Sequence, residues 1–193
     1  MKNYLLVALF AIGSLGWSQC TELFFSEYVE GTHNNKALEL YNPTNDSIDL
    51  SNYRIIRWSN GGTNASEDIQ YIQTLSGMIP SKGVYIAAVD KRDATATGAD
   101  TMMFQEMQDK ITAVSHGFFG PTYGNGNEGS KCIYQNGDDA LTLEKSTDGG
   151  MSYSIVDLFG LIGERPQSST GSADSETLIV SPIPSINNIP IPI

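Results

Sequence analysis

Lys36-Ala37-Leu38-Glu39-Leu40-Tyr41-Asn42-Pro43-Thr44-Asn45-Asp46 reads as a strand that stops abruptly. Leu38 and Leu40 face one way and Glu39 and Tyr41 the other, the period-two alternation of a half-buried strand. Asn42-Pro43-Thr44 then turns the chain, because proline presets φ and asparagine bonds its own backbone. The same unit, a short apolar run closed by turn residues, recurs in both directions. Candidate strands cover Glu22–Val29, Ala37–Tyr41, Tyr53–Trp58, Asp68–Thr74, Gly83–Val89, Lys131–Tyr134, Ala140–Glu144 and Ser154–Phe159. Ser59-Asn60-Gly61-Gly62, Gly124-Asn125-Gly126, Asn136-Gly137 and Asp148-Gly149-Gly150 separate them. Many short antiparallel strands with such punctuation predict an all-β chain, a sandwich or a barrel. Thr101–Val114 departs from the pattern. Phe104, Met107, Ile111 and Val114 recur at helical spacing and predict one short helix or an ordered long loop between sheets. The methionines there (Met102, Met103 and Met107) read as core filler.

Composition agrees with a folded body. Of 193 residues, 40% are apolar and 17% charged, which excludes a disordered chain. The net charge of -11 repels phosphate backbones and anionic lipid, so direct nucleic-acid binding is disfavoured. The one basic pair, Lys91-Arg92, is flanked by Asp90 and Asp93.

Residues 1–18 carry the marks of an export signal. Lys2 precedes an apolar run from Tyr4 to Trp17, too short to span a bilayer, and Gly16-Trp17-Ser18 fits small-x-small cleavage before Gln19. The reading implies a secreted or periplasmic domain over residues 19–165. A second reading makes Cys20 an acylated lipoprotein cysteine, although Trp17-Ser18-Gln19 is a poor lipobox. Nothing after the signal is apolar enough to cross a membrane as a helix. Residues 166–193 read as a Ser- and Pro-rich tail or linker. In an oxidising compartment Cys20 and Cys132 have two fates: they pair, or Cys132 stays a buried free thiol. Two cysteines and two separated histidines, His33 and His116, do not give zinc-ligand spacing.

Five blocks in order resemble the lamin tail domain family in its secreted bacterial form. They are Phe25–Thr44 (with Glu27-Tyr28-Val29-Glu30-Gly31 and Asn34-Asn35-Lys36-Ala37), Ile48–Tyr53, Leu75–Ala87, Gly137–Leu143 and Val156–Gly160 followed by Gly163. The resemblance covers about residues 22–165 and implies an immunoglobulin-like β-sandwich. Two departures are a Thr101–Gly129 insert longer than a minimal version needs and a tail beyond Arg165 that does not continue the pattern. The family brings no catalytic constellation. Its bacterial members often sit beside secreted hydrolases, which implies an accessory module for a protein or glycan partner.

Residues that could carry chemistry have plainer readings beside the chemical ones. Gly124-Asn125-Gly126-Asn127-Glu128-Gly129 matches a nucleotide fingerprint, but Lys131–Tyr134 reads as a strand where that motif needs a helix. Ser146–Tyr153 resembles a single Asp-box and reads as a hairpin turn, since a propeller would repeat it. Glu27 with Glu30, or Asp138 with Asp139, could form a carboxylate pair, but only across a cleft. Glu39 reads as an exposed partner for Lys36. Asp157 reads as tying down a turn, and His116 as packing. A structural calcium is possible for so acidic a chain, although no EF-hand loop is present. The alternatives to a binding module are a metal-assisted nuclease or phosphatase with its site in the insert, and a structural envelope module.

Overall fold

The computed structural model describes residues 21–31, 34–93, 95, 109, 115–120 and 123–165. The signal, Cys20, His33, nearly all of the Thr101–Val114 helix or loop, and the tail lie outside these residues.

Among the described residues ten strands follow one another: β1 Phe24–Glu30, β2 Lys36–Tyr41, β3 Ile48–Asp49, β4 Tyr53–Trp58, β5 Ile72–Thr74, β6 Met78–Ile79, β7 Val84–Val89, β8 Gly117–Phe119, β9 Ala140–Lys145 and β10 Ser154–Phe159. They form one sheet in the order β1-β2-β7-β8, a second in the order β10-β9-β4-β5, and a small β3-β6 pair. This is the expected all-β, immunoglobulin-like sandwich. Leu38 and Leu40 of β2 and Tyr85, Ala87 and Val89 of β7 meet Tyr53 and Ile55 of β4 and Leu141 and Leu143 of β9 in a single core. Each set is spaced by two, because alternate residues of a strand share a face.

Sheet two also buries part of its outer face. Ile56, Trp58 and Ala140 pack with Ala65 there, against Tyr71, Ile72 and Ile162. That is why β4 carries Ile55 and Ile56 side by side, one for each face, instead of a strict alternation.

Three expectations change. Lys131–Tyr134 is a buried turn, not a strand; Cys132, Ile133 and Tyr134 fill the core while Lys131 N–H donates to Gln70 O at 2.8 Å and Cys132 N–H to Gly129 O at 2.9 Å. An apolar run of four fits a core turn as well as a strand, and periodicity does not separate them. Asp68–Thr74 is half strand, since Ile69–Tyr71 forms a 3-10 turn capped by the Asp68 side chain on Gln70 N–H. One pair is parallel: β8 runs alongside β7, with Ala88 opposite Phe118. A parallel pair needs a long crossover, and the stretch after Val89 that includes the insert supplies it.

The two sheets are tied along one edge. β1 pairs with β2 through a bulge at Ser26, and β10 pairs with β9 through a bulge at Val156. The extra residue changes the strand's parity, so Phe25 and Tyr28, three apart, both pack on the core. Across the seam, Asp157 Oδ2 accepts the Phe25 N–H at 2.7 Å. The Tyr28 and Phe159 rings stack with centroids 4.9 Å apart. The expected structural role of Asp157 is therefore found between sheets rather than in a turn.

Candidate functional site

The inner rows of the strands do not stay apolar to their ends. In β2 the row Leu40, Leu38 is continued by Lys36, and in β4 the row Tyr53, Ile55 is continued by Arg57. Both cations are buried, at 4% and 3% exposure. They lie at the same end of the sandwich, and a buried cation requires partners.

Asp139 is the centre of those partners. Its Oδ2 accepts from Arg57 Nε at 2.7 Å and from Asn136 N–H at 2.6 Å, and its Oδ1 accepts from Asn60 N–H at 2.9 Å. The guanidinium also donates to Lys131 O at 2.9 Å and to Ser59 Oγ at 3.3 Å. Lys36 Nζ donates to Gln135 O at 2.5 Å and to Asn136 Oδ1, with Glu30 at 3.9 Å. Burial holds the Lys36 amine below the usual lysine range, and Glu30 only partly offsets it. Tyr28 donates to Glu30 at 2.9 Å, and burial pushes its phenol well up. A polar cap thus joins the start of β2, the end of β4 and the Tyr134–Asp139 turn.

A hollow of about 160 Å³ opens on this cap, walled by Asn34, Arg57, Tyr123, Tyr134 and Asn136. Asn34 takes the left-handed conformation, φ 58°, which asparagine tolerates better than most residues. The Tyr123 and Tyr134 rings meet edge to face, 4.9 Å apart and 71° inclined. Tyr134 is buried and donates its hydroxyl to Gly120 O, whereas Tyr123 is 47% exposed.

The strands' opposite end carries a shallower cleft of about 340 Å³, lined by Glu22, Thr44, Asp46, Asp49, Asn52, Tyr53 and Lys145 among others. Glu22 accepts from Lys145 Nζ at 2.7 Å, from Leu23 N–H at 3.0 Å and from the Tyr53 hydroxyl. Burial alone would raise the Glu22 carboxyl, but these bonds outweigh it and hold it below the usual range. Burial, with Glu22 beside it, pushes the Tyr53 phenol up to about 12, and Glu22 holds Lys145 above its ordinary value. All three therefore titrate away from neutrality, the reverse of the tuning expected of a general acid or base.

A family model described as Lamin Tail Domain matches residues 18–158. The chain belongs to the lamin tail domain family. A search of the curated proteins gave no match. In this lamin tail domain the resembling blocks acquire a geometry: Lys36 of the first, with Glu30 beside it, bonds Asn136, whose N–H holds Asp139 of the fourth.

The suggested carboxylate pairs separate. Asp139 turns inward to Arg57, while Asp138 turns outward to Arg165 Nε at 2.8 Å. Glu27 lies exposed opposite Glu39, and Glu30 turns to Tyr28 and Lys36. Glu39 does not pair with Lys36 but accepts the Ser26 hydroxyl at 2.6 Å. Lys36 lies on the inner face and Glu39 on the outer, so one strand cannot bring them together. Among the described residues, no group of three or more His, Cys, Asp or Glu is arranged to hold a metal ion.

Cys132 is a fully buried free thiol, its Sγ 3.4 Å from Ile55 O; Cys20 lies outside the described residues. His116 stacks on Tyr85 and accepts the Ile86 N–H at its Nδ1 at 3.0 Å, as packing requires. In the Ser146–Tyr153 hairpin, Asp148 accepts Ser152 N–H at 2.9 Å and Tyr153 lies 3.8 Å from the Arg54 guanidinium. Gly124, Gly126 and Gly129 all take positive φ within a run of turns and bends. The nucleotide reading thus lacks the helix after the motif that it needs, since Lys131–Tyr134 is a buried turn.

Proposed function

We propose that this lamin tail domain protein is exported, with residues 1–18 removed, and acts outside the cell or in the periplasm as a non-enzymatic binding module. Its partner is a glycan or a co-secreted protein such as a hydrolase, not nucleic acid. One observation carries the reading. Glu30, Lys36 and Asp139 of the family blocks gather with Arg57 at one end of the sandwich and are engaged in holding backbone and each other, as the three bonds to Asp139 illustrate. What that end offers to a partner is an exposed tyrosine face and an amide at the rim of a hollow with a guanidinium in its wall, groups that recognise rather than react.

The purified protein is expected to sediment with cell-surface polysaccharide, or to co-purify with a co-secreted hydrolase, and to leave DNA, phosphate esters and glycosides intact. Hydrolysis of any of these that disappears with a single carboxylate substitution would replace this reading with the metal-assisted hydrolase.

A further inference from the structure

The hollow over the polar cap has unspent donors in its wall. Arg57 is 3% exposed and carries five N–H groups. One goes to Asp139, one to Lys131 O and one to Ser59, so two have no acceptor among the described residues. Asn136 gives its Oδ1 to Lys36, and its Nδ2 amide likewise has no acceptor among the described residues. Arg57 is the buried one of the two, while Asn136 lies exposed at the rim, and N–H groups left over on a buried guanidinium call for an acceptor from outside.

Charge narrows the acceptor. Arg57 and Lys36 face Asp139 and Glu30. Lys131, whose backbone carbonyl holds Arg57, has no ion-pair partner among the described residues; its amine lies 5.2 Å from the Tyr71 ring centroid. The cap therefore carries a local cationic surplus within a chain of net charge -11. A buried guanidinium with N–H groups to spare and excess positive charge beside it match a carboxylate, which only accepts.

Size and shape narrow it further. A volume of about 160 Å³ is roughly that of five waters in the liquid, room for one ring and not a chain. Beside the donors stands Tyr123, half exposed and braced on Tyr134. A tyrosine ring is apolar on its face and rigid, a platform for the C–H face of a sugar.

We propose that this hollow binds a carboxylate-bearing sugar unit, a hexuronate, with the carboxylate on the unpaired N–H groups of Arg57 and Asn136 and the ring against Tyr123. The proposal rests on the binding-module reading and gives it a ligand class.

Methyl β-glucuronoside and methyl β-glucoside, alike except for the carboxylate, test it in an NMR titration of the purified protein. The glucuronoside should produce saturable shifts at Arg57, Tyr123 and Asn136 and bind at least about tenfold more tightly than the glucoside. Tyr123→Ala should weaken it about tenfold with the melting temperature unchanged, while Tyr123→Phe keeps most of the affinity. Equal binding of the two glycosides, no saturable shift with either, or full binding by Tyr123→Ala would each overturn the proposal. So would N-acetyl-aspartate amide binding as well as the glucuronoside, which would point to an acidic peptide. Failure to bind without hydrolysis removes only this site; hydrolysis of either glycoside would remove the module reading itself.

Discussion

Arg57 shows what a single residue does when a strand's inner row outlasts its apolar core. It is the third inward residue of β4, beyond Tyr53 and Ile55, and pairs with Asp139, whose side chain is fully buried. Breaking such a pair from one side costs more than the pair itself contributes, because a buried charge is left behind. Arg57→Met is expected to lower unfolding free energy by about 3–5 kcal/mol in urea melts. Asp139→Asn should cost about as much, since its one amide oxygen can replace only one of the two carboxylate oxygens and the Arg57 charge is left buried without a counterion. Cys132 belongs at this scale too. Burial pushes its thiol up to about 12, so it should resist alkylation in the native protein and react fully once denatured, read by mass. If the thiol is missing even after denaturation without reductant, Cys132 is in a disulfide. Only part of the site was legible in the sequence. Spacing by two from Leu40 and Leu38 to Lys36, and from Tyr53 and Ile55 to Arg57, places both cations inward, but a charged residue at an inner position reads more naturally as a strand end. Tyr123 carries no pattern at all, because its position depends on a turn packing against Tyr134.

At the scale of elements, the seam between β1 and β10 decides how the sheets close. Both are edge strands, and an edge strand must be covered or bent. Here each is bent by a bulge, and the bulges face each other through Asp157 and the Phe25 N–H. Charge-assisted bonds of this kind contribute about 1.5–3 kcal/mol. Asp157→Ala should therefore destabilise by about that amount in urea melts, and Asp157→Asn by less, because the amide still accepts. Equal losses for the two would mean that the carboxylate acts through something other than the Phe25 bond. Gly160 closes the end of β10 at φ 87°, where an added Cβ would meet Asp139 O and Ala140 Cα at 3.1 Å. Gly160→Ala should cost at least about 1–2 kcal/mol by the same measurement, from left-handed strain before any clash. Most strands were legible because their alternation survives to the core. β3 and β6, at two residues each, are too short to show a period. The bulges were hidden because an inserted residue breaks the alternation that reveals a strand.

For the whole molecule, the ionisable groups predict a stability curve with two falling limbs. On the acid side, Glu22 lies below its ordinary 4.5 through Lys145, Tyr53 and Leu23. Asp90 lies below 3.8 through Arg92, and hydrogen bonds from Ser152 and Ser146 hold Asp148 near 2. An acid depressed by folding binds its proton later in the native state than in the unfolded chain. Its contribution is complete above the unfolded value and disappears as pH falls through the folded one. On the alkaline side, Tyr53 is raised to about 12 by burial and by Glu22, Tyr85 is raised by burial, and Lys145 is raised by Glu22. Groups raised by folding hold protons that the unfolded chain has released, so stability falls as pH climbs past the unfolded values near 10. Lys36 is lowered by burial and works the other way just below 10.5, but it is one group against five once Tyr28 and Cys132, both raised by burial, are counted. The net charge of -11 adds self-repulsion that deepens as the tyrosines ionise. Urea midpoints should therefore be level between about pH 5 and 9 and fall on both sides. Glu22→Gln tests the assignment, because Glu22 sits on both limbs: as an acid held down, and as the partner that holds Tyr53 and Lys145 up. It should lower the plateau and flatten both limbs together. A variant that flattens only the acid limb would show that burial holds Tyr53 up without Glu22 and that the Tyr53 hydroxyl, not Glu22, holds Lys145 up.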